Sequence, residues 1–284
     1  MTTSQKPLTG KKLVFRILLY VAIVVVCVVI LYPYFIMLTS ALKSRAEIYS
    51  TTGTIFPINW QWSNLLDVWK LAPMGRYFLN SLIVALGSTA IAMICGIPAA
   101  YALVRMKFKG NTVFLAIVII SQMFAPVVLL IGIYKVLLMF KLVNTLLGLI
   151  LVNAAFNQAF TIWLLRGTFE AISPEMEQAA SIDGCSRVQA MFKILLPIAA
   201  PGIVTALIFI FINAWNEYTV ALTLISNDLL KPLTVGINIF NGYNMIEWQY
   251  LFGASLFSII PVIVLFVMIE KNLVGGLASG GVKG

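Results

Sequence analysis

Of 284 residues, 61% are hydrophobic and only 10% charged, with a mean hydropathy of +1.00. That composition excludes an ordinary water-soluble domain, and the apolar residues come in long blocks rather than amphipathic stripes, as in helices whose solvent is lipid. The net charge of +9 is accompanied by no aromatic-rich basic patch for stacking nucleic-acid bases and fits basic loops at a membrane surface instead.

Chemistry is poorly supplied. The chain has no histidine, which removes the commonest proton relay, catalytic base and metal ligand together. Cys27, Cys95 and Cys185 are odd in number and widely spaced, so neither a disulfide framework nor a metal site is expected. No GxxxxGKS/T phosphate loop occurs, so any ATP hydrolysis must come from another polypeptide.

The chain reads as an all-α polytopic membrane protein in three parts. These are a cytoplasmic N-terminal segment (1–12), a six-span transmembrane domain (13–270) and a cytoplasmic tail (271–284). The first apolar run, Leu13–Leu42, follows Lys11 and Lys12 but is far longer than the roughly 7–15 residues of a signal core, and no small-residue cleavage site ends it; it is a retained span. The loop Lys43–Tyr77 carries Pro57, Trp60, Trp62 and Trp69, the composition of an interfacial helix at the headgroup level; the tryptophans serve either as membrane anchors or as contacts for an external partner. The later spans are Phe78–Val104, Val113–Leu138, Leu146–Leu165, Gly202–Ile225 and Tyr250–Ile269, with Pro98, Pro126 and Pro261 expected to kink or locally unwind theirs. With the N-terminus inside, twelve basic residues fall on the inner side and seven on the outer, and Arg105, Lys107 and Lys109 crowd one short loop. Both termini are therefore expected to be cytoplasmic.

Polar residues recur within the spans. Ser88, Ala92, Gly96 and Ala100 place small side chains on one face of span two, a pattern for close helix packing. Asn153, Asn157 and Thr161 share a face of span four, and the three- and four-residue steps of Asn213, Asn216 and Glu217 align those side chains in span five. Glu217 is the single acid well inside a predicted span, ~22 Å along the helix from Gly202. An intramembrane acid normally faces a cavity or a partner. Two readings stay open for these groups: interhelical hydrogen-bond glue, or the lining of a path for a polar solute, with Trp215 offering a ring face.

Between spans four and five, a polar loop of about 167–200 carries its own helix signals. Ser173-Pro174 starts a helix with Glu175 and Glu177 in its first turn, and Ile172, Met176, Ala179 and Ala180 give it an apolar side. Asp183-Gly184 stops it, and Ser186-x-x-Gln189 is a capping box opening a second helix, with Val188, Phe192 and Leu195 on one face up to Pro197. Two short helices at a glycine turn make either a rigid knob suited to transmitting force or an interfacial helix resting on lipid.

The loop resembles the EAA loop of ABC importer permeases. Gln178-Ala179-Ala180 stands for the triplet and Gly184 for the glycine; Ile194-Leu195-Leu196-Pro197 begins ten residues after that glycine, and Asp183 and Phe192 are also in their usual places. Asn80-Ser81, Trp215-Asn216-Glu217 and the tail Gly276–Gly284 are similar to the MalG-type carbohydrate permeases, over essentially the whole chain.

The resemblance implies a type I importer permease that performs no catalysis and binds no cofactor, paired with a second, related permease in the bacterial cytoplasmic (inner) membrane. Two ATPase subunits would carry ATP and magnesium, and an extracytoplasmic sugar-binding protein would deliver a di- or oligosaccharide, a polyol or a glycerol phosphate. It places Ala179, Ala180, Asp183 and Gly184 at the ATPase contact, with Gln178 or Glu177 in the role of the triplet's usual Glu. It sets Asn241, Gly242, Tyr243 and Asn244 against the binding protein and inserts the glycine-rich tail between the ATPase subunits. The competing class, an ion-coupled secondary transporter, is disfavoured by the single intramembrane acid, the missing histidines and the lack of an internal repeat.

Overall fold

The computed structural model describes residues 10–51, 53–106, 108–242 and 245–280, with side chains from residue 14 to 268. In chain order the helices are α1 (Gly10–Ala41), α2 (Arg45–Ile48), α3 (Ser63–Leu71), α4 (Met74–Arg105), α5 (Asn111–Ser121), α6 (Pro126–Met139), α7 (Leu146–Glu170) and α8 (Glu175–Ile182). There follow α9 (Arg187–Ile198, including a π turn over Met191–Leu195), α10 (Ala200–Trp215), α11 (Thr219–Leu224), α12 (Leu233–Gly236) and α13 (Trp248–Gly280). Among the described residues, four helices are long and apolar enough to cross a membrane, or six spans if each of two sharply bent helix pairs counts as one.

The chain divides into two compact units, residues 1–70 with 240–256, and residues 71–239 with 257–284. In the first, α1 presents its side chains outward from Val14 to Phe35, and the carbonyls left over at its C-terminal end are met by Asn64, whose Nδ2 donates to Ala41 O and Lys43 O at 2.9 Å each. Glu47 Oε1 accepts from Thr54 Oγ1 and Ile58 N, folding the following loop back on α2. Trp60 and Trp62 stack at 5.8 Å on the exposed side just ahead of α3.

The second unit is built on the α4–α7 pair. Ser88, Ala92, Gly96 and Ala100 are all buried, and Ser88 Oγ donates to Ile150 O of α7. A Cβ at Gly96 would overlap the Thr161 Cγ2 methyl of α7, so the small-residue face is what lets the two backbones approach. One apolar cluster joins α4, α7, α9 and α10 through Met93, Tyr101, Leu165, Phe169, Leu195 and Ile210. A second joins α4, α6, α7 and α11 through Val84, Leu137, Leu149, Val152, Val220 and Leu224. Asn80 and Ser81 take the 228–236 segment in hand: Asn80 Nδ2 donates to Leu229 O and Lys231 O, and Ser81 Oγ accepts from Leu233 N.

Two expected spans are not continuous helices. Val113–Leu138 is α5 and α6, bent by 101° at a break over 122–125, with Pro126 opening the second helix. Proline removes an N–H and disfavours helical backbone before it, which is why the break falls there. Pro98 and Pro261, by contrast, lie inside unbroken helices. Gly202–Ile225 is α10 and α11 separated at residues 216–218. At 1.5 Å per residue α10 covers only ~24 Å of the ~30 Å hydrocarbon thickness. Asn213, Asn216 and Glu217 therefore do not share one helix face. Glu217 lies in the break and its carboxylate accepts from Val220 N (2.6 Å) and Ala221 N (3.0 Å), while its carbonyl accepts from Thr234 Oγ1 (2.7 Å). The acid serves as the start cap of α11, supplying acceptors for N–H groups that an apolar medium would leave orphaned.

Two outcomes are expected for purified protein in detergent. Glu217→Leu lowers thermal stability by about 1–3 kcal/mol through unpaired amides, whereas Glu217→Gln retains most of it; equal melting of the two variants would remove the capping role. Gly96→Ala costs about 1–3 kcal/mol through overpacking, and Thr161→Ser in the same chain, which deletes the methyl in the way, restores it. If the second substitution gives no recovery, the α4–α7 contact is not what Gly96 serves.

Candidate functional site: the polar loop and its anchorage

The loop between α7 and α10 folds as two capped helices. Ser173 Oγ accepts from Glu175 N, and Pro174 occupies the N-cap position of α8, one residue from where the sequence places it. At the other end Gly184 adopts φ +86°, Gly184 N donates to Ser181 O and Cys185 N to Ala180 O. That is the Schellman pattern, closing the last carbonyls of α8 through a left-handed residue. Ser186 and Gln189 make the reciprocal capping box at the start of α9, as their spacing predicts. A corner with both ends satisfied holds its shape with little core of its own.

Its apolar residues divide differently from the expectation. Leu195 is fully buried against α4 and α7, but Val188 and Phe192 point outward. The π turn over Met191–Leu195 inserts an extra residue into the helical period and breaks the expected common face. Met176 is also exposed, and Ile182 is 87% exposed at the corner. The inner side of α8 is instead Ala180 and Glu177.

Glu177 is the anchor of the element. Its Oε1 accepts from Arg105 Nε at 2.6 Å and its Oε2 from Tyr101 Oη at 2.8 Å, while Arg105 Nη2 donates to Ile172 O at 2.8 Å. Tyr101 and Arg105 stand four apart in the last turns of α4, so they share a face and meet the loop together. The pair is nearly buried, with 14% and 11% of the two side chains exposed. Stranding either charge alone costs about 3–5 kcal/mol. Beside the pair lies a cleft of about 290 Å³ lined by Tyr101, Arg105, Pro174, Gln178, Ser181 and Arg187. Gln178, Ala179, Asp183 and Gly184 are on the outward side, and Ala180 is buried. Tyr101 and Arg105 escape a reading of the loop alone; the i, i+4 Tyr–Arg pair closing span two, opposite an acid in the loop, is the signal that marks them.

The span residues occupy distinct settings. Asn153 and Asn157 are buried, and each donates to a carbonyl one turn back on α7. Asn213 is exposed on α10 and donates to Asn157 Oδ1 at 3.2 Å, and Asn216 is exposed at the end of α10. In the first unit, Asn241 pairs with Ile246 in an antiparallel bridge and Gly242 lies under Met245 O. Ile246 and Glu247 are fastened to the α2 region by Tyr49 Oη donating to Ile246 O (2.7 Å) and by an Arg45–Glu247 ion pair (2.7 Å). Tyr243 and Asn244 lie outside the described residues, as do the last four residues of the tail.

Comparison with known proteins assigns the chain. Residues 88–273 match the family described as binding-protein-dependent transport system inner membrane component. The chain is 35% identical to the sulfoquinovosyl glycerol transport system permease protein SmoH of Agrobacterium fabrum, over 89% of each chain. It is 31% identical to the melibiose/raffinose/stachyose import permease protein MelC of Bacillus subtilis, over 95% of this chain and 97% of the relative. A chain in the crystal structure of a bacterial ABC transporter involved in the import of the acidic polysaccharide alginate has the same fold, with a TM-score of 0.79 at 24% identity, covering 94% of this chain and 99% of that one. With several apolar helices and a family match over most of its length, this chain belongs to the inner-membrane permease components of binding-protein-dependent ABC importers, a multi-pass transport subunit with the type I importer fold.

Proposed function

We propose that the chain forms half of the translocation path of an ATP-driven carbohydrate importer and couples that path to ATP hydrolysis through its polar loop. The observation that carries the coupling is the doubly capped corner at Gly184: rigid, tied inward by Glu177, and exposing Met176, Ile182, Val188 and Phe192. Large apolar side chains exposed on a polar loop suit a protein partner. The partner would be one of two ATPase subunits holding ATP and magnesium, the second contacting a related permease that completes a heterodimer. Ala179, Ala180, Asp183 and Gly184 would sit at the contact. Because both carboxylate oxygens of Glu177 are engaged within the chain, Gln178 is the residue of this pair that faces outward to meet a basic partner.

Cargo of the di- or oligosaccharide, polyol or glycerol phosphate class is supported by the glycoside and oligosaccharide names of the relatives. Asn213 and Asn216, exposed at the outer part of α10, and Glu217 beside them, would line the path, with Asn153 and Asn157 behind as their hydrogen-bonded support. The segment 241–244 would meet an extracytoplasmic binding protein. Both termini would be cytoplasmic, following the excess of basic residues in the inner segments.

Uptake of a panel of radiolabelled di- and trisaccharides by cells carrying the full system should cease when ATP is depleted with the ion gradient held intact. Persistent uptake would instead identify an ion-coupled transporter. In the purified complex, Gly184→Val should leave ATPase turnover but uncouple it from transport. Nothing lies within 4 Å of a Cβ built there, so the strain comes from the backbone alone, and Gly184→Asn, which tolerates positive φ, should be milder. Full coupling in the valine variant would remove the corner from the mechanism.

A further inference from the structure

A knob can move a membrane helix only if it is fixed to one. The apolar contacts beneath this loop, through Leu195 and Met191, lie under α9. On the inner side of α8, the buried groups are Ala180 and Glu177, and only Glu177 reaches across to another helix with directional bonds. Those bonds end on Tyr101 and Arg105, in the last two turns of α4, which packs closely on α7 at Gly87 and Gly96. Arg105 also holds Ile172 O, so one guanidinium ties both the acid and the backbone just before α8 to the same helix end. Every polar atom of the Glu177 carboxylate is thus spent on α4. Nearly buried, charge-assisted bonds of this kind resist displacement more than sliding apolar contacts do.

We propose that Glu177, Arg105 and Tyr101 are positioning residues forming the joint through which displacement of α8 is delivered to α4. In this arrangement α8 and α4 move as one body, and the exposed side of the loop is free to meet whatever drives it. The inference rests on the coupling role proposed for the Gly184 corner, and goes beyond it by naming the connection on the membrane side.

The test uses the complete transporter in liposomes, with Cys27 and Cys185 replaced by serine and a spin label on Cys95, an exposed thiol on α4 itself. ATP with vanadate should change the spectrum of that label in the otherwise unaltered protein. In Glu177→Gln and in Arg105→Gln, ATPase turnover should persist while the spectral change falls about ten-fold, and the exchanged pair Glu177→Arg with Arg105→Glu should recover part of it. Tyr101→Phe, which removes one hydroxyl and leaves the ion pair, gives a smaller loss and serves if the charge variants do not assemble.

The proposal is overturned if the label never responds to ATP and vanadate or if Glu177→Gln keeps the full response. It is also overturned if turnover and response fall together, or if the exchanged pair does no better than either single variant. Gly184→Val separates the two levels. If it uncouples while Glu177→Gln does not, only the joint is lost; if neither does, the coupling role of the loop fails as well.

Discussion

A peptide group in hydrocarbon has no water to bond, and each one left unpaired costs several kcal/mol. That constraint turns the apolar blocks of this chain into helices and decides where its polar side chains can lie. The ends and interruptions of the helices are therefore the informative places. Asn64 meets the carbonyls at the end of α1, Gln122 Nε2 bonds Phe156 O beside the α5–α6 break, and Glu217 provides for the amides opening α11. An intramembrane acid whose sequence leaves it either glue or path lining is, in the fold, the acceptor that makes a broken helix tolerable.

The same accounting explains the polar loop. Outside the membrane two short helices cannot rely on lipid for shape, and α8 and the first turn of α9 bury few side chains of their own. Their stability comes from ends: the Schellman closure at Gly184, the capping box at Ser186 and Gln189, and the ion pair to α4. Because these contacts consume Glu177 and Arg105, the outward side is left with Met176, Ile182, Val188 and Phe192 among Gln178 and the charges of Glu175, Asp183, Arg187 and Lys193.

The α4–α7 pair gives the second unit its frame. Small residues at steps of four allow close approach, and the buried asparagines of α7 bond their own helix one turn back while Asn157 still offers its oxygen to Asn213. Polar side chains satisfied in this way act as glue that holds the helices together without leaving a buried amide unpaired.

Much was legible in the chain alone. Hydropathy and length set the helices, since lipid admits few alternatives, and the turn chemistry of Asp183-Gly184 and Ser186-x-x-Gln189 set the corner, since those signals act over neighbouring residues. What only the tertiary structure decided is the phase of each helix against its neighbours. Composition cannot say that Glu177 turns inward to Arg105 while Gln178 turns outward, because one residue's step of about 100° chooses between them and the packing of α8 on α4 makes the choice. Nor does local pattern reveal the π turn that exposes Val188 and Phe192 while burying Leu195, or the break that lifts Glu217 out of its expected helical face. Those outcomes depend on contacts between residues dozens of positions apart, and they exist only once the helices have packed.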